Sequence, residues 1–433
     1  AERSGEEPLM LSEFGNWGMP ALGPLLESYG GRPDWMQQRV ESTVTGKKKE
    51  NQGTAVIDTS RVGEAFQASG MSSVFSCFDE FARHSQALQF QAVKHQILRM
   101  REQESIRGYV ITELTDIQWE SNGMLDMARN PKAHFASWSE VNAPDLVIPR
   151  VERYAVRSGE ELTISLAVSR YSARDLDGGS IHWRASPGDD HGEIELTTVP
   201  RGQVTSAGAV AISSRVERPA RMELVFALLA RDGSPVHETR LQLGAYPAAA
   251  LGGLSAGLYC RDQTLRGALE AQGARVVSEL EQADVAFTVG EPAARELAFA
   301  RSGGALVVVL SAAGDYELGD ARLSVVAREG VLSGDWATNN NWINTNAFSS
   351  LPSDGVLSFE CEGIAGDLLI RPTQGATSLA GLVVGWAHSG GSYCTTMPVG
   401  GGSITATTVP LDRMGDAAPL GSFVADLVRY VGG

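Results

Sequence analysis

Glu13 sits in the stretch PLMLSEFGNWG, residues 8 to 18, where an apolar, strand-like run ends on Ser12, Glu13, Phe14 and Gly15. A carboxylate at the end of a strand, with Gly15 and Gly18 loosening the backbone beyond it, can attack the anomeric carbon of a sugar. The covalent glycosyl intermediate is then broken by water. Such chemistry needs a second carboxyl about 5 to 5.5 Å away to protonate the leaving oxygen. Two further acids, Glu113 and Asp116, close a second β-rich run, GYVITELTD, residues 108 to 116. The bland reading of all three is a solvated or salt-bridged carboxylate.

The elements between these runs decide whether the acids can meet. A long polar loop follows Glu13, then a helix is expected to start near Ser72 or Ser73, whose hydroxyls can cap free amides. Its Phe90, Val93, Ile97 and Met100 recur at steps of three and four, and it should end before Gly108. Strand, helix, strand in that order predicts a βαβ unit with neighbouring parallel strands, their C-terminal ends on one side. Chemistry collects at such ends, where loops vary over a rigid wall.

Beyond about residue 140 the pattern changes. Residues 145 to 246 carry short alternating segments such as LTISLAVSRY and RMELVFALLA between Gly, Ser, Pro and Asp clusters, which predict an antiparallel β-sandwich. Residues 250 to 433 alternate strands and helices, which predict a small open parallel sheet covered on both faces. Three units result: 1 to 140, 145 to 246, and 250 to 433. That count suits 433 residues at about 150 per domain.

Composition narrows the partners. A net charge of -16 opposes a nucleic-acid surface, since each phosphate contact calls for a cation. No apolar run approaches the roughly 20 residues that span a bilayer. Cys77, Cys260, Cys361 and Cys394 have no C-x-x-C pair, so they read as small buried hydrophobes and a metal site is not expected. The first residues, AERSGEEPLM, have no basic-then-apolar signal design, which fits either a cytoplasmic protein or a chain whose natural start lies elsewhere; with no sequon, a cytoplasmic setting is favoured over a secreted one. Trp336, Trp342 and Phe348, with Asn339, Asn340 and Asn341, could stack and bond a sugar, or could seal an interface. Cys260 follows only the first strand of the last unit, whereas a nucleophile is expected on a later, sharp strand-to-helix turn, where this chain offers VLSAAGD; His388 has no acidic and Cys partner in sequence, and His84 and His95 suit packing or solvent better than a metal.

LMLSEFGNWGMP, followed by LQFQAVKHQILRMREQESIRGYVITELTDIQWESNGMLDMARNPK, resembles the last quarter of the catalytic barrel of glycoside hydrolase family 2. That family's seventh barrel strand ends in a Ser/Thr-Glu-Tyr/Phe-Gly motif, matched here by Ser12, Glu13, Phe14 and Gly15. Gly108 and Tyr109 match the opening of the eighth strand, and Gly123, Asp126, Pro131 and Lys132 the closing pattern. The resemblance implies a multidomain α/β and all-β protein: the C-terminal part of a (β/α)8 TIM barrel over 1 to 140, an Ig-like sandwich, and a flavodoxin-like or amidotransferase-like module.

It further implies a retaining β-glycosidase with Glu13 as nucleophile, a carbohydrate substrate and no cofactor. Asn16, Trp17, Glu113, Asp116 and Trp119 become candidates for substrate contact. In the family a tryptophan often floors the sugar site from the eighth strand, whereas this neighbourhood reads Thr112, Glu113 and Leu114, so sugar preference does not carry over. The family's acid/base follows an Asn on the fourth strand, which this chain lacks. A companion polypeptide or missing N-terminal segment with strands one to six is therefore expected, and the chain alone should be inactive. The alternative is a non-catalytic carbohydrate-binding or assembly subunit.

Overall fold

The computed structural model describes residues 7–37, 61–103, 105–117, 120–319, 321–329, 332, 339–386 and 389–433. It is a mixed α/β, sheet-rich structure.

Strand β1 (Leu9–Phe14) leads through α1 (Leu22–Ser28), α2 (Val62–Ala68) and α3 (Phe78–Arg101) to β2 (Ile106–Ile111). β1 and β2 pair in parallel, with Leu11 opposite Tyr109 and Phe14 opposite Ile111. Alternation gives this two-stranded sheet unlike faces. Leu11, Phe14, Ile106, Tyr109 and Ile111 pack on the Phe90, Val93, Ile97 and Met100 stripe of α3 and on Trp138 and Val141 of α4 (Trp138–Val141). The other face leaves Met10 67% and Val110 48% exposed.

Helix α3 starts at Phe78 and not near Ser72 or Ser73. Gly70, at φ 87°, turns the chain into a 3-10 turn at Met71–Ser73, and the Ser73 hydroxyl is spent on the Gly70 carbonyl at 2.8 Å. Glu80 organises the true helix start, its carboxylate accepting from the Ser76 N–H at 2.6 Å and the Ser76 hydroxyl at 2.7 Å.

Next come β3 (Asp145–Arg150), β4 (Ala155–Arg157), β5 (Glu161–Arg170), β6 (Ser180–Ser186), β7 (His191–Glu195), β8 (Gln203–Ser213), β9 (Ala220–Leu229) and β10 (Pro235–Tyr246). They form a three-stranded sheet, β3-β5-β8, and a five-stranded sheet, β4-β10-β9-β6-β7. Every second residue of β5 points inward, so Leu162, Ile164, Leu166 and Val168 meet Leu224, Phe226 and Leu228 of β9 in one core.

The last section holds β11 (Gly257–Cys260), α5 (Gln263–Ala271), β12 (Arg275–Val277), β13 (Val285–Val289), α6 (Ala294–Arg301), β14 (Ala305–Val309), β15 (Gly314–Leu318) and β16 (Ala321–Ala327). β17 (Asn339–Ile343), β18 (Leu368–Ile370), β19 (Thr377–Val384), β20 (Ser389–Val399), β21 (Gly402–Thr407) and α7 (Ala418–Gly432) complete it. Strands β12-β11-β13-β14-β21 run parallel, as the alternation predicts. The same sheet then continues antiparallel through β20, β18, β16 and β15, with β19 and β17 branching off, so the open parallel sheet is only half of the structure. At VLSAAGD no helix follows β14: the chain passes into the β15–β16 hairpin.

Trp342 of β17 is fully buried in a cluster with Trp17, Phe75, Phe81 and Trp386, and the Asn344 side-chain amide donates to the Ser73 hydroxyl at 3.0 Å. Phe348 stacks on Phe423 at 4.3 Å. Trp342 thus seals one section against another, whereas Phe348 packs within its own section. Trp336 and His388 lie outside the described residues. Cys77 is exposed, unlike the three other thiols, because it sits at the N-cap of α3, where no described residue covers it.

Candidate active site

Glu13 is exposed one residue before the end of β1. Beyond it the chain closes tightly. The Phe14 carbonyl accepts from the Thr112 N–H at 2.8 Å, and a Cβ on Gly15 would lie 2.3 Å from the Thr112 carbonyl oxygen. A Cβ on Gly18 would lie 2.3 Å from Gln89 Oε1. These glycines therefore admit close neighbours and do not loosen the backbone, and neither needs a positive φ.

Glu113 follows β2 across a cis Thr112–Glu113 peptide bond. Partial burial raises its pKa above the usual carboxylate range, and the charges of Glu120 and Glu13 add to this against the pull of Lys132. Its Oε1 is buried and has no hydrogen-bond partner among the described residues. Two carboxyls thus stand at the same end of adjacent parallel strands.

Asp116 does not share that mouth. Its carboxylate is buried against Lys132, Oδ1 to Nζ at 2.7 Å, and accepts from the Gly123 N–H at 2.7 Å. Burial pushes the Asp116 carboxyl up and the Lys132 ammonium down, each partly restored by the other. Lys132 also donates to the carbonyls of Gly18 at 2.6 Å and Ser121 at 3.0 Å. One ammonium thereby clamps the loop after β1 to the loop after β2. Gly123 is needed there, since a Cβ would meet the Asp116 nitrogen at 2.3 Å. Asp126 closes the turn by accepting from the Ala128 and Asn130 N–H groups, each at 2.8 Å. The Gly123, Asp126, Pro131, Lys132 series is thus a clasp beneath the carboxylates.

Asn16 and Trp17 are buried, at 6% and 4% exposure, and Trp17 belongs to the aromatic cluster around Trp342. Trp119 lies outside the described residues. Sequence reasoning missed the polar side of α3. Ser85 accepts from the Met19 N–H at 2.8 Å, Gln86 donates to the Met19 carbonyl at 2.6 Å, and Gln89 donates to the Asn122 carbonyl at 2.7 Å. The signal was available: fully apolar packing has no use for two glutamines set four and one residues before Phe90. Among the described residues no group of three or more His, Cys, Asp or Glu is arranged to hold a metal ion. Nor is any helix among them long and apolar enough to cross a membrane.

No family model matches this chain, and no curated protein matches it either. Among solved structures it is similar to a β-D-mannosidase from Dictyoglomus thermophilum, at 16% identity and a TM-score of 0.36 over 54% of this chain and 27% of that one. An exo-chitosanase from Amycolatopsis orientalis gives 11% identity and a TM-score of 0.34 over 52% and 26%. Spo0M, a sporulation control protein from Bacillus subtilis, gives 12% identity and a TM-score of 0.19 over 30% and 55%. The chain spans about a quarter of the length of the two glycosidases. Likeness at these scores defines no activity.

Proposed function

We propose that this chain is the nucleophile-bearing, C-terminal part of a retaining β-glycosidase. β1 and β2 serve as the seventh and eighth strands of a (β/α)8 barrel within residues 1 to 140, followed by an Ig-like sandwich (145 to 246) and a flavodoxin-like module (250 to 433). The observation that supports this reading is the pair of carboxyls at one end of two parallel strands: Glu13 exposed, and Glu113 partly buried and shifted toward its neutral form chiefly by that burial.

In the reaction Glu13 attacks the anomeric carbon while an acid on a companion segment protonates the departing oxygen. That same group then deprotonates the water that releases the sugar with retained configuration. Glu113, with Trp119, flanks the sugar. Asn16, Trp17 and Asp116 act from below by fixing the backbone that carries Glu13. The exposed face of Met10 and Val110 and the outer edges of β1 and β2, which pair with no other described strand, suit closure by the companion's strands.

The test combines the chain with a segment supplying strands one to six and an Asn-Glu acid/base, then adds a panel of activated 2-fluoro β-glycosides. Mass spectrometry should find the label on Glu13, and Glu13→Gln should abolish it and lower turnover by orders of magnitude. Near-normal turnover in Glu13→Gln removes this residue from the mechanism. Saturable sugar binding with neither label nor turnover makes the chain a carbohydrate-binding or assembly subunit instead.

A further inference from the structure

A cavity of about 350 Å3 opens where α3 meets the sandwich and the Phe359–Glu360 turn, and none of the carboxylate-site residues lines it. That volume lies within the roughly 300 to 1,000 Å3 typical of small-molecule sites. Its walls differ in character. On one side Tyr154 and Phe359 stack at 4.9 Å, and the His95 ring approaches Phe359 at 5.5 Å while its Nδ1 lies 2.7 Å from the Tyr154 hydroxyl. The same helix α3 that carries His95 also brings Lys94 and Arg99 to the lining.

The cations there are unequally satisfied. Arg240, also on the wall, is held by Glu238 at 2.6 Å and Glu223 at 3.5 Å. Arg99 pairs with Glu102 at 3.0 Å, yet its Nε is buried without a hydrogen-bond partner among the described residues. Lys94 donates to the Arg240 carbonyl at 2.8 Å and forms no ion pair with any described carboxylate. Burial pushes its ammonium down to about 8, against the upward pull of Glu140 and Glu223, neither of which comes close enough to pair with it as a counter-ion. An incoming anion would supply that counter-ion. Glu140 and Glu360 also line the cavity and oppose a second negative charge.

We propose that this cavity binds a small organic monoanion, a carboxylate on a flat ring-shaped body, with its head on Lys94 and Arg99 and its ring on the Tyr154–Phe359 stack. The site does not depend on the glycosidase reading, and neither reading falls with the other.

Benzoate is the probe and benzamide its uncharged counterpart of the same shape, each titrated calorimetrically into the full 433-residue chain. Benzoate should bind saturably, and benzamide more weakly by about tenfold or more, because a charge-assisted contact is lost. Lys94→Met should weaken benzoate by about tenfold or more and leave benzamide nearly unchanged. Arg99→Gln, at a side chain that is 29% exposed, provides a second variant should Lys94→Met fail to fold, and should weaken benzoate selectively as well. Absence of saturable benzoate binding, equal affinity for the two probes, or unchanged benzoate affinity in a folded Lys94→Met or Arg99→Gln protein overturns the proposal.

Discussion

Lys132 Nζ lies 2.7 Å from Asp116 Oδ1 with the two side chains only 3% and 0% exposed, and the same ammonium holds the Gly18 and Ser121 carbonyls. Removing one partner of a buried pair strands the other charge, at a cost of about 3 to 5 kcal/mol. Asp116→Asn and Lys132→Met should each lower the urea midpoint of the N-terminal section by a corresponding amount. The double variant, which strands no charge, should recover part of the loss. Strictly additive losses would show that the two groups do not act as a unit.

Gly15→Ala places a methyl 2.3 Å from the Thr112 carbonyl oxygen and should cost about 1 to 3 kcal/mol through forced separation of the strand ends. Gly267, inside α5 with nothing within 4 Å of a built Cβ, is the control. Gly267→Ala should stabilise by about 0.5 to 1 kcal/mol. Thermal midpoints decide; an unmoved midpoint in Gly15→Ala would mean that the ends of β1 and β2 are not held so close.

Stability at alkaline pH should carry the mark of Lys94. Burial, with Arg240, pushes its ammonium down to about 8 from the 10.5 of an ordinary lysine, against the pull of Glu140 and Glu223. Between those values the unfolded chain binds more protons, so this group's contribution to stability rises with pH through that window, while below it the burial cost is present in full. Lys94→Met removes the cost. The variant should be more stable than the parent at pH 7 by about 1 to 3 kcal/mol, and the gain should shrink between pH 8 and 10. A gain that is constant with pH would take ionisation of Lys94 out of the account.

Thiol chemistry gives an independent reading of the fold. Cys77 is exposed, whereas Cys260, Cys361 and Cys394 are buried and pushed up to about 11, 12 and 12. A thiol-reactive dye at pH 8 should label one cysteine quickly in the folded chain and all four in denaturant. Fast labelling of Cys394 in native buffer would contradict its place in β20.

Where periodicity was strong, the sequence was legible. The step of three and four from Phe90 to Met100 marks the stripe that covers β1 and β2, and the alternation of LTISLAVSRY marks β5. The place of Glu13 near a strand end was legible because a strand end is a local feature. The pairing of Asp116 with Lys132 was not, because it closes across an irregular loop with no period to read. The antiparallel half of the C-terminal sheet was hidden for another reason: TSLAGLVV of β19 is buried on both faces, and such a run reads the same whichever way its neighbours point. The start of α3 was misplaced because Ser72 and Ser73 have the right chemistry for a cap, but Gly70 had already turned the chain away.

The bond between Asn344 and Ser73 spans 271 residues, and the cluster around it joins Trp17, Met71 and Phe81 to Trp342 and Trp386. During synthesis at about 5 to 20 residues per second, some 15 to 50 s would separate the emergence of the first group from that of the second. Over that interval Met71, Phe75 and Phe81 have no Trp342 to close over them. Until Trp342 is made, Met71, Phe75 and Phe81 thus keep an apolar surface that a holding chaperone can cover.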